Sequence, residues 1–436
     1  MRKYIFFLFF NLNLFLLVPL GNLLTGCNTT DPKLEPDLKL ELKDVSCTEA
    51  WLQLTTNNIQ LPATINLLTN NTVAQVFNLS TQDSLLYIDS LLPNQNYSFQ
   101  VSSIQNPVSS NKVTATTMDT TSHNFTWQTF EFGVQTNVSR LFDVAIINEN
   151  NIWAVGEIYM NDSLGNPDPT CYNAVHWDGQ SWELKSIYYY GACSAVTYPP
   201  LTAIWTFDAN SIVVTNGGSI GWFNGTNINL DCRVNPLLTG AINKIWGSNS
   251  NDLYAVGNNG NIAHYNGSSW TKIESGTTTD IQDVLGFKDA FTSETSVYCA
   301  VSYVFQNGDR KILQIKSNTV DSLNWMGDKR INSIWTSNNK FFFTAGDGVF
   351  ENKRGYWNQV IDLPPYYSNN IRGNDLNDVF VCGDFGLLSH FNGSSWFTYN
   401  EHYMHGILFS VATKNNIVVT VGLDGNKATI IKGTRN

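Results

Sequence analysis

Short apolar runs alternate with turns rich in glycine, asparagine and serine along most of this chain, and after residue 140 the pattern repeats about every forty residues. Two copies are especially clear, at residues 242–270 and 371–396. Both contain an Asn-Asp turn, an apolar run that ends in glycine, and later the pentapeptide Asn-Gly-Ser-Ser-Trp. Seven copies can be aligned, each built from up to four apolar runs, as in the four-stranded blades of a β-propeller. The pattern predicts an all-β fold with a seven-bladed propeller over residues 124–436.

The seventh copy ends near residue 433, close to the C-terminus, and lacks a fourth apolar run. An unmatched apolar segment, residues 124–132, stands before the first copy and carries Trp127. In other copies a tryptophan opens the fourth run: Trp182, Trp270, Trp325, Trp357 and Trp396. We therefore expect residues 124–132 to supply the fourth strand of the last blade, which closes the ring and leaves no long free edge.

Residues 38–120 contain a second set of short β-like segments, seven in about eighty residues, which predicts a small β-sandwich. The segment Leu-Leu-Pro-Asn-Gln-Asn-Tyr97 resembles the tyrosine corner of fibronectin type III domains. The resemblance implies that the Tyr97 hydroxyl bonds back to the preceding loop, and that Trp51 is a core aromatic residue on the second strand. In bacteria such modules are mostly spacers, and the resemblance implies that role here.

The first 26 residues have the features of a targeting signal rather than of a folded element. Arg2 and Lys3 precede an apolar stretch that runs to about residue 20, and Leu-Thr-Gly-Cys27 follows. This arrangement resembles the bacterial lipobox, which implies that residues 1–26 are a signal peptide and that the Cys27 thiol receives the lipid. The alternative is an uncleaved membrane anchor. However, two asparagines interrupt the apolar stretch, which is also short for a membrane span.

Lipidation at Cys27 implies a location in the bacterial cell envelope, with the acyl chains in a membrane and the folded chain outside the cytoplasm. Residues 27–37 are polar and contain two prolines, so we expect them to act as a tether. Residue Asn28 is not the aspartate that retains some lipoproteins in the inner membrane, and the outer membrane is therefore favoured.

Composition narrows the classes of partner. Aromatic residues make up 13% of the chain and charged residues 14%, which suits an all-β fold with many turns. The formal net charge is −11, and removal of Arg2 and Lys3 with the signal peptide would make it −13. Because an acidic surface repels phosphate backbones, we expect no nucleic-acid partner.

Outside the cytoplasm, the six cysteines other than Cys27 would meet an oxidising environment. Cys299 and Cys382 lie inside apolar runs and are interpreted as core residues. The remaining candidates lie in loops. A disulfide between Cys171 and Cys193 is expected, with Cys232 as a competing partner.

In a propeller, the loops between second and third strands and the loops between blades emerge on one face. In this chain these are the longer loops, above all in blades 1 and 2, so this face is here called the long-loop face. Exposed tyrosines on such a face suit sugar rings or protein partners. The candidates are Tyr159, Tyr188, Tyr189, Tyr190, Tyr198, Tyr366, Tyr367 and Tyr403. The alternative for each of them is that it only packs its loop onto the blades.

The other sequence features do not indicate a catalytic or metal site. His176, His264 and His390 occupy one repeat position in three blades and are interpreted as a structural feature. Asn-Gly-Ser-Ser-Trp resembles half of the Asp-box turn of sialidase-type propellers, but arginines are too scarce for the arginine cluster of those enzymes. No nucleotide-binding loop or metal motif is present, so we expect no cofactor and no metal.

The whole chain resembles bacterial surface lipoproteins with a fibronectin-like spacer and a repeat propeller. The leading hypothesis is a non-catalytic binding or scaffold protein that presents the long-loop face to a glycan or protein. One alternative is an extracellular carbohydrate-active enzyme, a hydrolase or lyase, with acids such as Asp162, Asp168 or Glu401. Another is a subunit of an envelope assembly. Chains with such repeats are sometimes labelled glucosyltransferases, but that activity expects an α/β fold with an acidic metal motif.

Overall fold

The computed structural model describes residues 35–436, apart from residues 106, 135, 169, 190–192, 194–196, 289–294, 304, 305, 307, 324, 327 and 339. The predicted signal peptide, Cys27 and most of the predicted tether lie outside the described residues. Nearly all regular structure in the described part is antiparallel β-strand. No helix within it has the length and apolar character that crossing a membrane requires.

The first seven strands form the predicted sandwich. They are β1 (Asp37–Val45), β2 (Ala50–Asn57), β3 (Ala63–Thr69), β4 (Thr72–Leu79), β5 (Asp83–Ile88), β6 (Asn96–Ser103) and β7 (Val113–Thr116). One sheet has the order β1-β2-β5 and the other the order β4-β3-β6-β7. Their inner faces enclose a core of leucine, isoleucine, valine and phenylalanine side chains, because alternate residues of each strand point to the same side.

Tyr97 makes the contact that the fibronectin-like motif implies. The backbone N–H of Leu92 donates a hydrogen bond to the Tyr97 hydroxyl over 2.9 Å. Assignment of the sandwich to the fibronectin type III family remains a prediction.

Trp51 does not belong to the sandwich core, contrary to the expectation. Its neighbours Ala50 and Leu52 face that core, so Trp51 on the same strand points the other way. Its side chain is 1% exposed and packs in a cluster with propeller residues such as Phe341 and Phe391. Trp51 is therefore an anchor between the two modules.

The next 28 strands form seven four-stranded sheets, the blades of the propeller. Strand β8 (Phe125–Phe132) comes first in the sequence and belongs to blade 7. Blades 1 to 3 contain β9 (Arg140–Asn148), β10 (Asn151–Ile158), β11 (Tyr172–Trp177), β12 (Trp182–Lys185), β13 (Ala203–Asp208), β14 (Ser211–Thr215), β15 (Ile220–Phe223), β16 (Ile228–Asp231), β17 (Ile242–Asn249), β18 (Asp252–Gly257), β19 (Ile262–Tyr265) and β20 (Trp270–Lys272). Blades 4 to 6 contain β21 (Ile281–Lys288), β22 (Thr295–Val301), β23 (Lys311–Lys316), β24 (Thr319–Leu323), β25 (Ile331–Thr336), β26 (Phe342–Gly346), β27 (Gly348–Asn352), β28 (Trp357–Gln359), β29 (Ser368–Asp375), β30 (Asp378–Gly383), β31 (Leu388–Phe391) and β32 (Trp396–Thr398). Blade 7 contains β33 (Ile407–Lys414), β34 (Ile417–Asp424), β35 (Lys427–Arg435) and β8. Within the described residues, three short 3-10 helices lie in connections, at Cys232–Leu237, Asn258–Gly260 and Asn400–His402.

The first strands of consecutive blades contact one another around the whole ring, and β33 of blade 7 returns to β9 of blade 1. The prediction that residues 124–132 complete the last blade is confirmed, since β8 pairs with β35 along its full length. Trp127 lies opposite Gly433, the position that corresponds to Trp270 opposite Tyr265 in blade 3. A side chain at Gly433 would collide with the Trp127 ring, so this glycine lets the closing strand pack tightly.

Tryptophans open the fourth strands of blades 1, 3, 5 and 6 as expected: Trp182, Trp270, Trp357 and Trp396. Trp325 is an exception. Strand β24 ends at Leu323, so Trp325 follows the fourth strand of blade 4 instead of opening it, and its ring packs edge-on against Trp357 of blade 5 at 5.0 Å. Like the others, it fills a gap between blades.

The repeated histidines are structural, as interpreted. Each ring stacks on the aromatic or indole ring directly opposite on the second strand, with centroid distances of 4.2 to 4.4 Å in blades 1, 3 and 6. Each Nε2 also contacts the side chain that opens the same strand: Asn151, Asp252 or Asp378. The three sites belong to three separate blades.

The sandwich packs on the face that carries the turns between first and second strands and between third and fourth strands, here called the short-turn face. Its partners belong to blades 5 and 6. Glu49 and Lys353 form an ion pair of 2.9 Å, Asp89 pairs with Arg354, and the Trp51 indole N–H contacts the Lys353 carbonyl at 3.4 Å. A side chain at Gly393 would collide with Cys47 Sγ, which shows how closely the two modules approach.

Candidate functional site

The long-loop face lies opposite the sandwich, and the structure spreads the predicted tyrosines over it unevenly. Tyr188 and Tyr403 are exposed, at 50% and 57% of their surface. Tyr159, Tyr198, Tyr366 and Tyr367 are half-buried. Tyr190 lies outside the described residues. The rings of Tyr188 and Tyr198 pack edge to face at 5.9 Å, so these two form a small aromatic patch on the connection between blades 1 and 2.

Tyr189 is not a ligand-face residue, contrary to the expectation. It is fully buried in the cluster between blades 1 and 2, and its hydroxyl donates to the Ser219 carbonyl at 2.6 Å. Consecutive residues in an extended segment point to opposite sides, so the exposure of Tyr188 and the burial of Tyr189 go together. Burial raises the pKa of Tyr189 above its usual value.

Tyr159 and Tyr367 are engaged by neighbouring charges. The Tyr159 hydroxyl donates to Glu157 Oε2 at 3.1 Å, and the same carboxylate pairs with Arg140. Burial, followed by the charge on Glu157, raises the pKa of Tyr159 to about 12. Tyr367 lies under the Arg330 guanidinium at 4.9 Å, and burial raises its pKa to about 12. These two tyrosines hold loops in place, so Tyr188, Tyr198, Tyr366 and Tyr403 are the better candidates for ligand contact.

The disulfide joins Cys193 to Cys232, so the expected Cys171–Cys193 pair is wrong and the competing partner is the correct one. Cys171 is free and half-buried where the chain enters β11. The Cys193 carbonyl accepts a hydrogen bond from Ser219, which precedes β15 in blade 2, and Asn235 in the segment after β16 donates to the same Ser219 hydroxyl at 3.3 Å. The disulfide therefore ties the connection between blades 1 and 2 to the loop after blade 2.

The candidate acids make local contacts. Asp162 Oδ1 accepts the backbone N–H groups of Leu164 and Asn166 at 2.9 Å, and Asp168 accepts that of Thr170 at 2.8 Å. Such contacts stabilise turns. Glu401 is exposed in the short helix Asn400–His402. Among the described residues, no group of three or more histidines, cysteines or acids has the geometry to hold a metal ion.

The centre of the propeller contains charges that sequence reasoning missed. Asp143 pairs with Lys244 at 2.6 Å, and Asp283 pairs with Arg372 at 2.6 Å. These residues come from the first strands of four blades. Although burial opposes it, Arg372 holds the pKa of Asp283 below its usual value. Both carboxylates are buried and each is neutralised by a cation, so the two pairs join the first strands of blades that are not neighbours in the ring.

A second polar cluster, with His390 buried and His123 half-buried, links the segment before β8 to blade 6. His390 Nε2 lies 2.9 Å from Asp378 Oδ1, and His390 Nδ1 lies 2.8 Å from His123 Nδ1. With both rings neutral, His390 Nε2–H donates to Asp378 and His390 Nδ1 accepts from His123 Nδ1–H. His123 Nε2 has no hydrogen-bond partner among the described residues. Burial, followed by His390 and Arg435, lowers the pKa of His123 to about 4.

This cluster predicts acid sensitivity of the closed ring. An unfolded histidine has a pKa of about 6.5, so between about pH 6.5 and pH 4 the unfolded chain binds more protons and the free energy of unfolding falls as pH falls. Because the His123 ring is only partly buried, we expect a loss of about 2 kcal/mol rather than the full shift. Urea unfolding at pH 7 and at pH 4.5 measures this loss in the free energy of unfolding. Between the two pH values the variant His123→Phe should lose less stability than the parent, whereas the variant of the exposed His405, His405→Phe, should lose as much as the parent. Equal losses in all three chains would contradict the prediction.

No protein-family model matches the sequence, and no curated protein matches it. The solved structures that resemble it include β-propellers. YCF48 bound to D1 peptide superposes with a TM-score of 0.52 at 11% identity, over 71% of this chain and 95% of that chain. The C-terminal WD40 domain of Sif2 superposes with a TM-score of 0.41 at 12% identity, over 69% of this chain and 98% of that chain. The β-propeller domain of the Trilobed protease from Pyrococcus furiosus superposes with a TM-score of 0.41 at 8% identity, over 68% of this chain and 93% of that chain. At such identities only the fold is shared, and the first of these supports the propeller.

Proposed function

We propose that this chain is a lipid-anchored binding or scaffold protein of the bacterial cell envelope, with the outer membrane favoured, whose propeller presents its long-loop face to a glycan or protein. The observation that carries the proposal is the position of the sandwich. It packs on the short-turn face of blades 5 and 6, between the N-terminus and the propeller. A membrane attached through Cys27 would lie on the sandwich side, and the long-loop face would point away from it.

The chemistry of that face also favours binding over catalysis. Tyr188 and Tyr403 offer exposed rings with a hydroxyl at the edge, which suits sugars and protein partners. Asp162 and Asp168, the proposed acids of the enzyme alternative, accept backbone hydrogen bonds within their own loop.

The test is a screen of residues 28–436 against immobilised glycans, polysaccharides and envelope extracts, with retention and release of reducing ends read together. We expect retention without release. Tyr188→Ala and Tyr403→Ala should each weaken retention about tenfold, which corresponds to about 1.4 kcal/mol. Tyr356 provides a matched control, because it is 53% exposed but lies on the short-turn face, so Tyr356→Ala should bind normally.

Retention that is insensitive to both long-loop tyrosines would contradict the proposal. Release of new reducing ends would favour the enzyme alternative and direct attention to Asp162, Asp168 and Glu401. Lipid anchoring is tested separately: Cys27→Ser should leave the protein in the soluble fraction, and continued membrane association of this variant would overturn the anchor.

A further inference from the structure

A groove of about 980 Å³ runs between the sandwich and blades 4 and 5. Strands β4 and β5 form its sandwich wall. Its propeller wall is built from strands and turns between residues 298 and 357, on the short-turn side. The groove exists only because the two modules pack against each other, and it lies on the face opposite the long loops.

The groove is basic although the protein is acidic. The whole chain has 36 acidic and 25 basic residues, but the groove lining includes four basic side chains and no carboxylate. Two of the four, Lys353 and Arg354, are paired with acids that lie behind the lining. Lys316 and Lys340 form no ion pair with any described residue, although Lys340 Nζ donates to the Asn338 carbonyl at 3.1 Å and its charge acts on Asp44, outside the groove lining. No described residue of the lining neutralises either lysine, so the groove offers the charge of Lys316, and in part that of Lys340, to an occupant.

Strand β4 presents an open edge to the groove. It is the outermost strand of its sheet, and no strand in the described part of the chain pairs with its outer side. Gln75, Val76 and Phe77 all line the groove. Because consecutive residues of a strand point to opposite faces, three in a row can line one groove only when the groove follows the strand edge.

The composition of β4 makes this edge receptive. Its sequence, Thr-Val-Ala-Gln-Val-Phe-Asn-Leu, contains no charged residue and no proline, the devices that normally prevent strands from adding to an edge. Val76 on β4 is 59% exposed, and Leu85 on the neighbouring β5 is 51% exposed. A register shift near Gln75 leaves the stretch from Gln75 to Leu79 regularly paired with β3.

We propose that the groove binds an acidic peptide segment in an extended conformation, which adds as a strand to the edge of β4. The peptide backbone bonds to the open N–H and C=O groups of β4. Its carboxylates face Lys316 and Lys340, and its apolar side chains cover Val76 and Leu85. A polysaccharide could satisfy the lysines, but the regular spacing of backbone donors and acceptors along a strand edge complements another strand.

The test uses fluorescence anisotropy with a library of fluorescein-labelled octapeptides that carry glutamate at every second position and a varied apolar residue at the others. The protein is residues 28–436. We expect members of the library to bind, the same sequences with lysine in place of glutamate to fail, and N-methylation of alternate backbone nitrogens in the best peptide to weaken binding at least tenfold. The last comparison isolates strand addition, since it changes neither the protein nor the charge.

The variant K316E/K340E should bind the best peptide at least tenfold more weakly, whereas K272E/K414E, with the same change in net charge on blades 3 and 7, should match the parent. Absence of binding by every library member, or equal binding of the N-methylated peptide, would overturn the proposal. Binding of oligogalacturonate in place of the peptides would also overturn it and assign the groove to acidic glycans. Tyr188→Ala and Tyr403→Ala should leave peptide binding unchanged, which separates this site from the long-loop face.

Discussion

Deletion of residues 124–132 is expected to abolish folding of the propeller. These residues are strand β8, which forms the outer strand of blade 7 and pairs with all but the first residue of β35. Deletion removes the buried Phe125 and the Trp127 ring that packs beside Tyr399. Loss of one such aromatic side chain costs about 3–5 kcal/mol, and a domain is stable by only about 5–15 kcal/mol. The deleted chain should therefore show no cooperative thermal transition for the propeller.

A matched control removes the same number of residues from the predicted tether, giving a chain that starts at residue 37 and that should melt like the parent. A synthetic peptide of residues 119–134, added in excess, should restore the transition of the deleted chain in part. Melting of the deletion at the temperature of the parent would show that β8 is dispensable for ring closure.

Trp51→Ala is expected to separate the sandwich from the propeller while both remain folded. Trp51 is 1% exposed, packs with propeller side chains and lies outside the sandwich core. The change should weaken docking by about 3–5 kcal/mol. We expect small-angle X-ray scattering to report a larger radius of gyration, and calorimetry to resolve two transitions in place of one.

The adjacent residue provides the control. Leu52 points into the sandwich core, so Leu52→Ala should lower the melting temperature of the sandwich and should not produce a folded but extended molecule. A Trp51→Ala variant with the scattering profile of the parent would show that the ion pairs of Lys353 and Arg354 are sufficient for docking.

The seven-bladed ring could be predicted because the same sequence features recur in several blades. The Asn-Asp turns, the histidine positions and the tryptophans that open fourth strands recur at one spacing, so each copy supports the interpretation of the others. The closing strand could be predicted by counting the apolar runs in each copy. The seventh copy lacked a fourth run, and Trp127 lay in an unmatched run at the position where other copies carry a tryptophan. The position of Trp325 was predicted wrongly because its own copy carries the pattern only weakly.

Contacts between modules were harder to infer. Strand alternation around Ala50 and Leu52 did contain the signal that Trp51 points away from the sandwich core, but a family resemblance suggested the opposite. The groove depends on the angle at which two folded modules meet, which no local pattern encodes. The disulfide partner of Cys193 was predicted wrongly because Cys171 and Cys232 both lie in connections between strands, and only the packing of blade 2 brings Cys232 close. The central charge pairs were missed although Asp143, Lys244 and Asp283 share one position of the repeat, two residues after the apolar residue that opens the first run. The residue type at this position varies from blade to blade, so it does not stand out as a motif.

The way the ring closes also has consequences for the lifetime of the protein in the cell. Thr126 and Asn436, which are hydrogen-bonded across the closing seam, are 310 residues apart in the sequence. Contacts over such a distance form late, because a long loop must close before they contribute. A nascent chain therefore cannot complete blade 7 until β35 has left the ribosome. Once blade 7 is complete, the first and last strands of the propeller are held in one sheet, so a protease must open that blade before it can degrade either strand.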